Sequence, residues 1–237
     1  MTGDKKRFKY DIEVVGVRDV TPSIRRITFR AGMFGDISPC KPAEWFKLFV
    51  PSASGTVTRA YTVRGHCPQM ATVDVDFVLH GEGAAGVWAQ QATVGQWIGC
   101  SALRGGFQPV SDAEWLFLVA DETGTPAVMT ILEAMNAGEH ALVFLVAENE
   151  SEWQPVTSAA TVDCRWVYRD GGTGADFELL DAISEVRHPP GMGQFWIASE
   201  AGMAQQVREY FTGVCSIARR MVRSKGYWMR GVSDHRE

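Results

Sequence analysis

Two periods run along this chain. In the first half, apolar and polar positions alternate in short stretches. Tyr10, Ile12 and Val14 share one face of "KYDIEVVGVRDV", and Ile27, Phe29 and Ala31 share one face of "SIRRITFRA". In "TVDVDFVL", Val73, Val75, Phe77 and Leu79 alternate with Thr72, Asp74, Asp76 and Val78. Period-2 alternation predicts half-buried strands. "EWFKLFVP" and "QWIGCSA" read as two more, and turn residues in "TPS", "SPCKP", "PSASGT" and "GHCPQ" separate them. Short strands with turns between them predict a small antiparallel β-barrel.

Near Ser111 the pattern changes. "WLFLVA" and "ALVFLVA" are continuous apolar runs, as expected of strands covered on both faces. Between them "DETGTPAVMTILEAMNAG" reads as a helix capped by Thr125, with Pro126 in its first turn and Gly138 at its end. "TVDCRWVY" and "GQFWIAS" are further strands and "ADFELLDAISEV" a helix. "GMAQQVREYFTGVCSIARRMV" reads as one or two helices, with Arg219 and Arg220 in mid-helix. The fold class is therefore α/β plus all-β: a β-barrel domain over 1–110 and an α/β domain with a mainly parallel sheet over 111–237.

A chain of 237 residues with 46% hydrophobic and 22% charged residues can bury a sizeable core without disulfide or metal staples. Cys40, Cys67, Cys100, Cys164 and Cys215 are scattered, with no C-x-x-C pair, which favours reduced thiols and a cytoplasmic location. The charged N-terminus has no signal-peptide h-region, and the apolar runs are too short to span a bilayer. A formal charge of −5 argues against a general nucleic-acid binder. That charge is uneven. Tyr210 to Ser233 holds Arg219, Arg220, Arg223, Lys225 and Arg230 and no acid, which leaves −10 on the rest.

The candidate chemistry begins with "TRAYTVR". Arg59 offers a planar fork of donors suited to phosphate, Tyr61 a ring that can pack on an isoalloxazine, and Thr62 a hydroxyl. The glycine-rich "GEGAAGVWA" lets backbone amides approach a ligand, and a helix starting near Gly86 would aim its positive end at a pyrophosphate. Each signal alone has a plainer structural reading: Arg-x-Tyr-Thr is short, Asp74 and Asp76 fit an outward polar face, and His80 fits a strand end. No H-E-x-x-H, G-x-S-x-G or G-x-G-x-x-G pattern is present, so no protein-bound metal, serine nucleophile or standard dinucleotide fingerprint is expected.

Taken in order, five motifs resemble the siderophore-interacting proteins, a branch of the ferredoxin-reductase-like flavoproteins. They are "RAYTVR", "VDVDFVLHGEGAAGVWA", "VADETGTPAVMTILEAM", "FWIASEAG" and "GYWMRG". The resemblance implies a non-covalent FAD in the barrel, NADPH or NADH as electron donor to the α/β domain, and reduction of iron(III) held in a siderophore. It implies that the flavin is held by Arg59, Ala60, Tyr61, Thr62, Asp76, Val78, His80, Gly83, Ala85, Gly86, Val87, Trp88 and Thr123, with Tyr227 and Trp228 closing over it on a returning C-terminal tail. Asp121, Glu122, Thr125 and Glu200 would meet the nicotinamide, and Arg223, Lys225 and Arg230 the anionic substrate. The chain departs from the family pattern at Ala84, Ala120, Gly124-Thr125 and Ala102-Leu103. The expected protein is a monomer that meets no nucleic acid or membrane. Two other functions fit the same residues: a flavoprotein fed by a ferredoxin-type partner, and a siderophore binder without redox chemistry.

Overall fold

The computed structural model describes residues 10–37, 40–53, 55–79, 83–171 and 175–232. The chain divides into two compact units, Met1–Phe107 and Gln108–Glu237.

The first unit carries strands β1 (Tyr10–Thr21), β2 (Ile24–Arg30), β3 (Glu44–Ser52), β4 (Gly55–Thr62), β5 (Gly65–Cys67), β6 (Thr72–Val78), β7 (Trp97–Cys100) and the short β8 (Arg104–Gly105), with helices α1 (Gly32–Asp36) and α2 (Ala84–Gln91). Every pairing in its sheet is antiparallel, in the order β4-β3-β7-β1-β2-β6-β5, with β8 on β3. The expected antiparallel barrel is present as a barrel-like sheet, and among the described residues no ladder joins β4 to β5. The alternation seen in the sequence becomes the core, with Ile12, Val14, Ile27, Phe29, Phe46, Leu48, Val73, Val75 and Phe77 all buried. Each such side chain contributes about 1.5–3 kcal/mol on burial. The polar face of β6 does not point to water as expected. Asp76 is buried and its two oxygens accept Nε and Nη2 of Arg26 at 2.6 and 2.7 Å, from the residue paired with it on β2. Asp74 accepts the Thr28 hydroxyl at 2.6 Å.

The second unit holds β9 (Trp115–Ala120), α3 (Thr125–Glu133), β10 (His140–Ala147), β11 (Thr161–Tyr168), α4 (Ala175–Ser184), β12 (Gly193–Glu200), α5 (Ala201–Glu209) and β13 (Val222–Trp228). All its strand pairs are parallel, in the order β11-β10-β9-β12-β13. The fully buried β9 and the nearly buried β10 are the two continuous apolar runs. The chain extends the sheet from β9 to one side through β10 and β11, then to the other through β12 and β13. The order therefore reverses between β9 and β12, and open α/β sheets bind ligands beyond the strand ends at such a switch.

Three local expectations are corrected. Helix α3 is capped by Gly124, while the Thr125 hydroxyl donates to the Asp121 carbonyl at 2.9 Å. It ends at Glu133, and Gly138, at φ +92°, serves the turn into β10. The long helical segment after Gly202 stops at Glu209. A wide turn follows over Tyr210–Val214, Arg219 and Arg220 lie in a single 3-10 turn, and the chain then enters strand β13. This strand forms because β12 offers it an edge. Its own alternation is masked by exposed Arg223 and Lys225 between Val222, Ser224 and Gly226.

Candidate functional site

In the first unit the residues group around β4 and α2. Arg59 and Tyr61 share one face of β4, and Ala60 and Thr62 take the other. Arg59 donates to the Thr58 carbonyl at 2.9 Å, which holds its guanidinium against the strand. The Tyr61 ring packs on Phe77 at 4.3 Å and 38°, and Phe77 contacts Trp88 of α2 at 5.6 Å. Trp88 also stacks on Phe29 at 6.4 Å and 11°. Tyr61 and Trp88 are thus joined through one buried phenylalanine, with Asp76 and Val78 beside it on β6. Burial raises the Tyr61 phenol above its ordinary pKa, so the group is a neutral donor and not a phenolate. His80 lies outside the described residues.

Two observations show an arrangement suited to a bound polar group. Thr62 Oγ1 is buried and has no hydrogen-bond partner among the described residues. A buried hydroxyl without a partner is uncommon, and a ligand atom would satisfy it. Helix α2 begins after Gly83, and among the described residues no side chain caps it and a Cβ built at Gly83 would meet nothing within 4 Å. The first amides of a helix lack intrahelical acceptors, so those of Ala84, Ala85 and Gly86 can serve an anion, with exposed Val87 alongside. The other end of α2 is fixed by a residue the sequence did not single out. Arg25 donates to the carbonyls of Ala89 and Gln90 at 3.3 and 2.7 Å, and Asp19 holds Arg25 at 2.7 Å. A cation suits the negative helix end.

In the second unit the residues gather at the carboxyl ends of β9, β12 and β13. Asp121 has no exposed surface. Its Oδ1 accepts the Thr123 N–H at 2.9 Å, the Thr123 hydroxyl at 2.6 Å and the Gly124 N–H at 3.3 Å. Its Oδ2 accepts the Glu200 N–H at 2.7 Å and the Trp228 indole N–H at 2.8 Å. Burial raises its pKa, and the bonds from Thr123 and Trp228 work against that rise. The Asp121 carboxylate, expected to face a nicotinamide, is instead spent internally on three strand ends.

Glu200 is engaged as well. Its Oε2 caps α5 by accepting the Gly202 and Met203 amides at 2.6 and 3.1 Å, and Oε1 accepts the Arg230 amide at 3.1 Å. Glu122 forms a two-pronged pair with Arg169, whose second contact is 2.7 Å. These carboxylates are thus engaged by amides, an indole or a guanidinium, and Thr123 is the partly exposed residue beside the buried start of α3. Gly124 lets the turn close on β12: a Cβ there would lie 2.0 Å from the Ala198 carbonyl oxygen. Sequence reading missed Arg169 and Arg26. Arg26 pairs with Asp76 across strands 50 residues apart in sequence, so no local signal marked it. Arg169 carried no local signal.

Arg223 and Lys225 are both exposed on one face of β13, next to Trp196 and Ala198 of β12. Arg230 is exposed just beyond the strand, and Arg220 is paired with Asp112 at 2.9 Å. Tyr227, partly buried, lies where the register with β12 shifts, between Gly226 and Trp228.

Residues 113–231 match the siderophore-interacting protein family, and residues 51–106 match the siderophore-interacting FAD-binding domain. A ferric vibriobactin reductase from Vibrio cholerae is 30% identical over 181 residues, which is 75% of this chain and 66% of that protein. A ferric acinetobactin reductase from Acinetobacter baumannii is 28% identical over 234 residues, 94% of this chain and 79% of that protein. Among solved structures, a siderophore utilization protein from T. fusca superposes with a TM-score of 0.85 at 26% identity, over 96% of this chain and 95% of the other. With both halves of the chain matched in order, it belongs to the siderophore-interacting protein family.

Proposed function

We propose that this protein carries FAD in its first unit and uses electrons from a nicotinamide nucleotide to reduce iron(III) in a ferric siderophore. The observation that carries the reading is the buried, partnerless hydroxyl of Thr62 beside Tyr61, in a segment that matches an FAD-binding domain. When bound, FAD supplies the ability to take two electrons together and release them singly, which a one-electron iron acceptor requires. The similarity to ferric vibriobactin and ferric acinetobactin reductases supports iron chelates as the substrate class.

The residues divide the work. Thr62 hydrogen-bonds the cofactor, Arg59 pairs with its pyrophosphate, and the amides at the start of α2 take a second phosphate oxygen. Tyr61, Phe77 and Trp88 form a dry aromatic wall that excludes water and fixes α2 to the sheet. In the second unit Thr123, in the turn before α3, receives the nucleotide donor at the switch point, beside acids already engaged by hydrogen bonds or, for Glu122, by a guanidinium. Hard oxygen ligands hold iron(III) more tightly than iron(II), so reduction releases the metal.

The test is anaerobic mixing of the flavin-loaded protein with NADH or NADPH, followed by an iron(III) chelate and an iron(II) indicator. Bleaching at 450 nm on mixing, then recovery as iron(II) appears, is the expected result. A protein that takes up no FAD, or whose flavin neither nucleotide reduces, rejects the reading.

A further inference from the structure

The strand ends beside the switch point carry a charge pattern that bears on which nucleotide is read. Glu122 follows β9, Glu148 follows β10 and Arg169 follows β11, three neighbouring strands of the sheet. Arg169 is held by both acids, in the two-pronged pair with Glu122 and at 3.6 Å from Glu148. Backbone bonds from Arg169 to the Ala147 carbonyl and from Asp170 to the Glu148 carbonyl, at 3.0 and 2.8 Å, fix the two segments side by side. Glu148 is half exposed, and exposed Glu150 and Asp170 flank it. This rim therefore offers acids, and its guanidinium is already committed.

We infer that the donor is NADH and that Glu148 is the residue that reads its unphosphorylated adenosine ribose. The inference rests on the nucleotide-donor reading above and deepens it. Where a βαβ unit carries the glycine fingerprint, an acid at the end of the second strand hydrogen-bonds the ribose 2′-hydroxyl; this chain lacks G-x-G-x-x-G but keeps the same order of strand, helix and strand. Here β9 and α3 are the first strand and helix, and Glu148 stands at the end of the second strand. The other side of the switch point is filled by the Glu200 cap and the Trp228 indole, so the adenosine runs towards β10 and β11. A carboxylate accepts hydrogen bonds from a ribose diol and repels a 2′-phosphate. The guanidinium that could pair with that phosphate would first have to leave Glu122 and Glu148.

The experiment measures binding of 5′-AMP and of 2′,5′-ADP to the flavin-loaded protein by calorimetry, together with flavin reduction by NADH and NADPH. Binding of 5′-AMP at least tenfold tighter, about 1.4 kcal/mol, and faster reduction by NADH are expected. Glu148→Arg, at an exposed position that leaves the core intact, should tighten 2′,5′-ADP at least tenfold. Equal or tighter wild-type binding of 2′,5′-ADP, or equal kcat/KM for NADH and NADPH, overturns the inference alone. Failure of both mononucleotides to bind, with no reduction by either dinucleotide, overturns the donor reading and this inference together.

Discussion

The indole N–H of Trp228 donates to Oδ2 of Asp121 across 2.8 Å, so the last residue of β13 is fastened to the residue that follows β9. The same oxygen accepts the Glu200 amide at the end of β12. One buried carboxylate thereby sets the spacing of three strand ends around the switch point, and the start of α3 inherits its position from them.

Trp228→Phe removes the indole donor together with part of the ring's bulk and should cost about 1.5–3 kcal/mol or more, the range for hydrogen bonds to a charged group with lost packing added. Asp121→Asn should cost at least as much, because its amide N–H₂ must face groups that are themselves donors. The pH dependence has a fixed sign. Burial raises the Asp121 pKa above its ordinary 3.8, so its contribution to stability is fully present below that value and lost as pH rises through the raised one. Urea unfolding of wild type and Asp121→Asn from pH 4 to 8 checks this: the advantage of wild type should shrink as pH rises. An advantage that grows would contradict the assigned direction.

Thr62→Val separates a cofactor contact from a fold contact. In the cofactor-free protein it should be neutral or stabilising by about 1–2 kcal/mol, because a buried unpaired hydroxyl is removed. Affinity for FAD should fall roughly two- to tenfold for one neutral hydrogen bond. Thermal melts without flavin and fluorescence titration with FAD report the two effects separately, and a loss of both together would assign Thr62 to the fold instead.

Gly124→Ala tests how tightly the β9–α3 turn sits on β12. The new methyl would lie 2.0 Å from a backbone oxygen and 2.9 Å from its carbon, so a strand or the turn must move. Overpacking against backbone costs roughly 1–3 kcal/mol or more. The effect should appear in unfolding midpoints and, if the start of α3 binds the donor, in a raised KM for it with FAD content unchanged.

How much could be read from the chain follows the range of the interactions. "TVDCRWVY" alternates or runs apolar over its own length, and its bounds as β11 match the expectation. Phe77 and Val75 announced their burial by simple alternation. Strand β13 was hidden because its pattern is broken by Arg223 and Lys225, and only pairing with β12 makes it a strand. Asp76 looked solvated because its partner Arg26 stands 50 residues away. Asp121 was placed in the right neighbourhood, and its bonds from Thr123 and Gly124 are local, but the two donors on Oδ2 come from positions 79 and 107 residues further on, so its full confinement was not legible.

The exposed cations of β13 give the last prediction. Arg223 and Lys225 project from the same side of an edge strand, in a stretch without acids, on a chain of formal charge −5. Arg220 contributes less to this field, because Asp112 partly neutralises it. A local positive face on an acidic protein draws small anions towards it and raises their rate of encounter. Catecholate complexes of iron(III) are anionic, whereas NADH lacks the extra phosphate of NADPH. Arg223→Glu should therefore raise KM for such a chelate about three- to tenfold at low salt, since exposed pairs contribute about 0.2–1 kcal/mol and reversal doubles the change. KM for NADH should move less. Near 1 M salt the screening length falls to about 3 Å and the difference should nearly vanish. Steady-state assays at 20 mM and 1 M sodium chloride with an anionic and a neutral ferric chelate provide the measurement. Equal KM changes for the two chelates, or no change for either at low salt, would make these cations ordinary solvated residues of the edge strand.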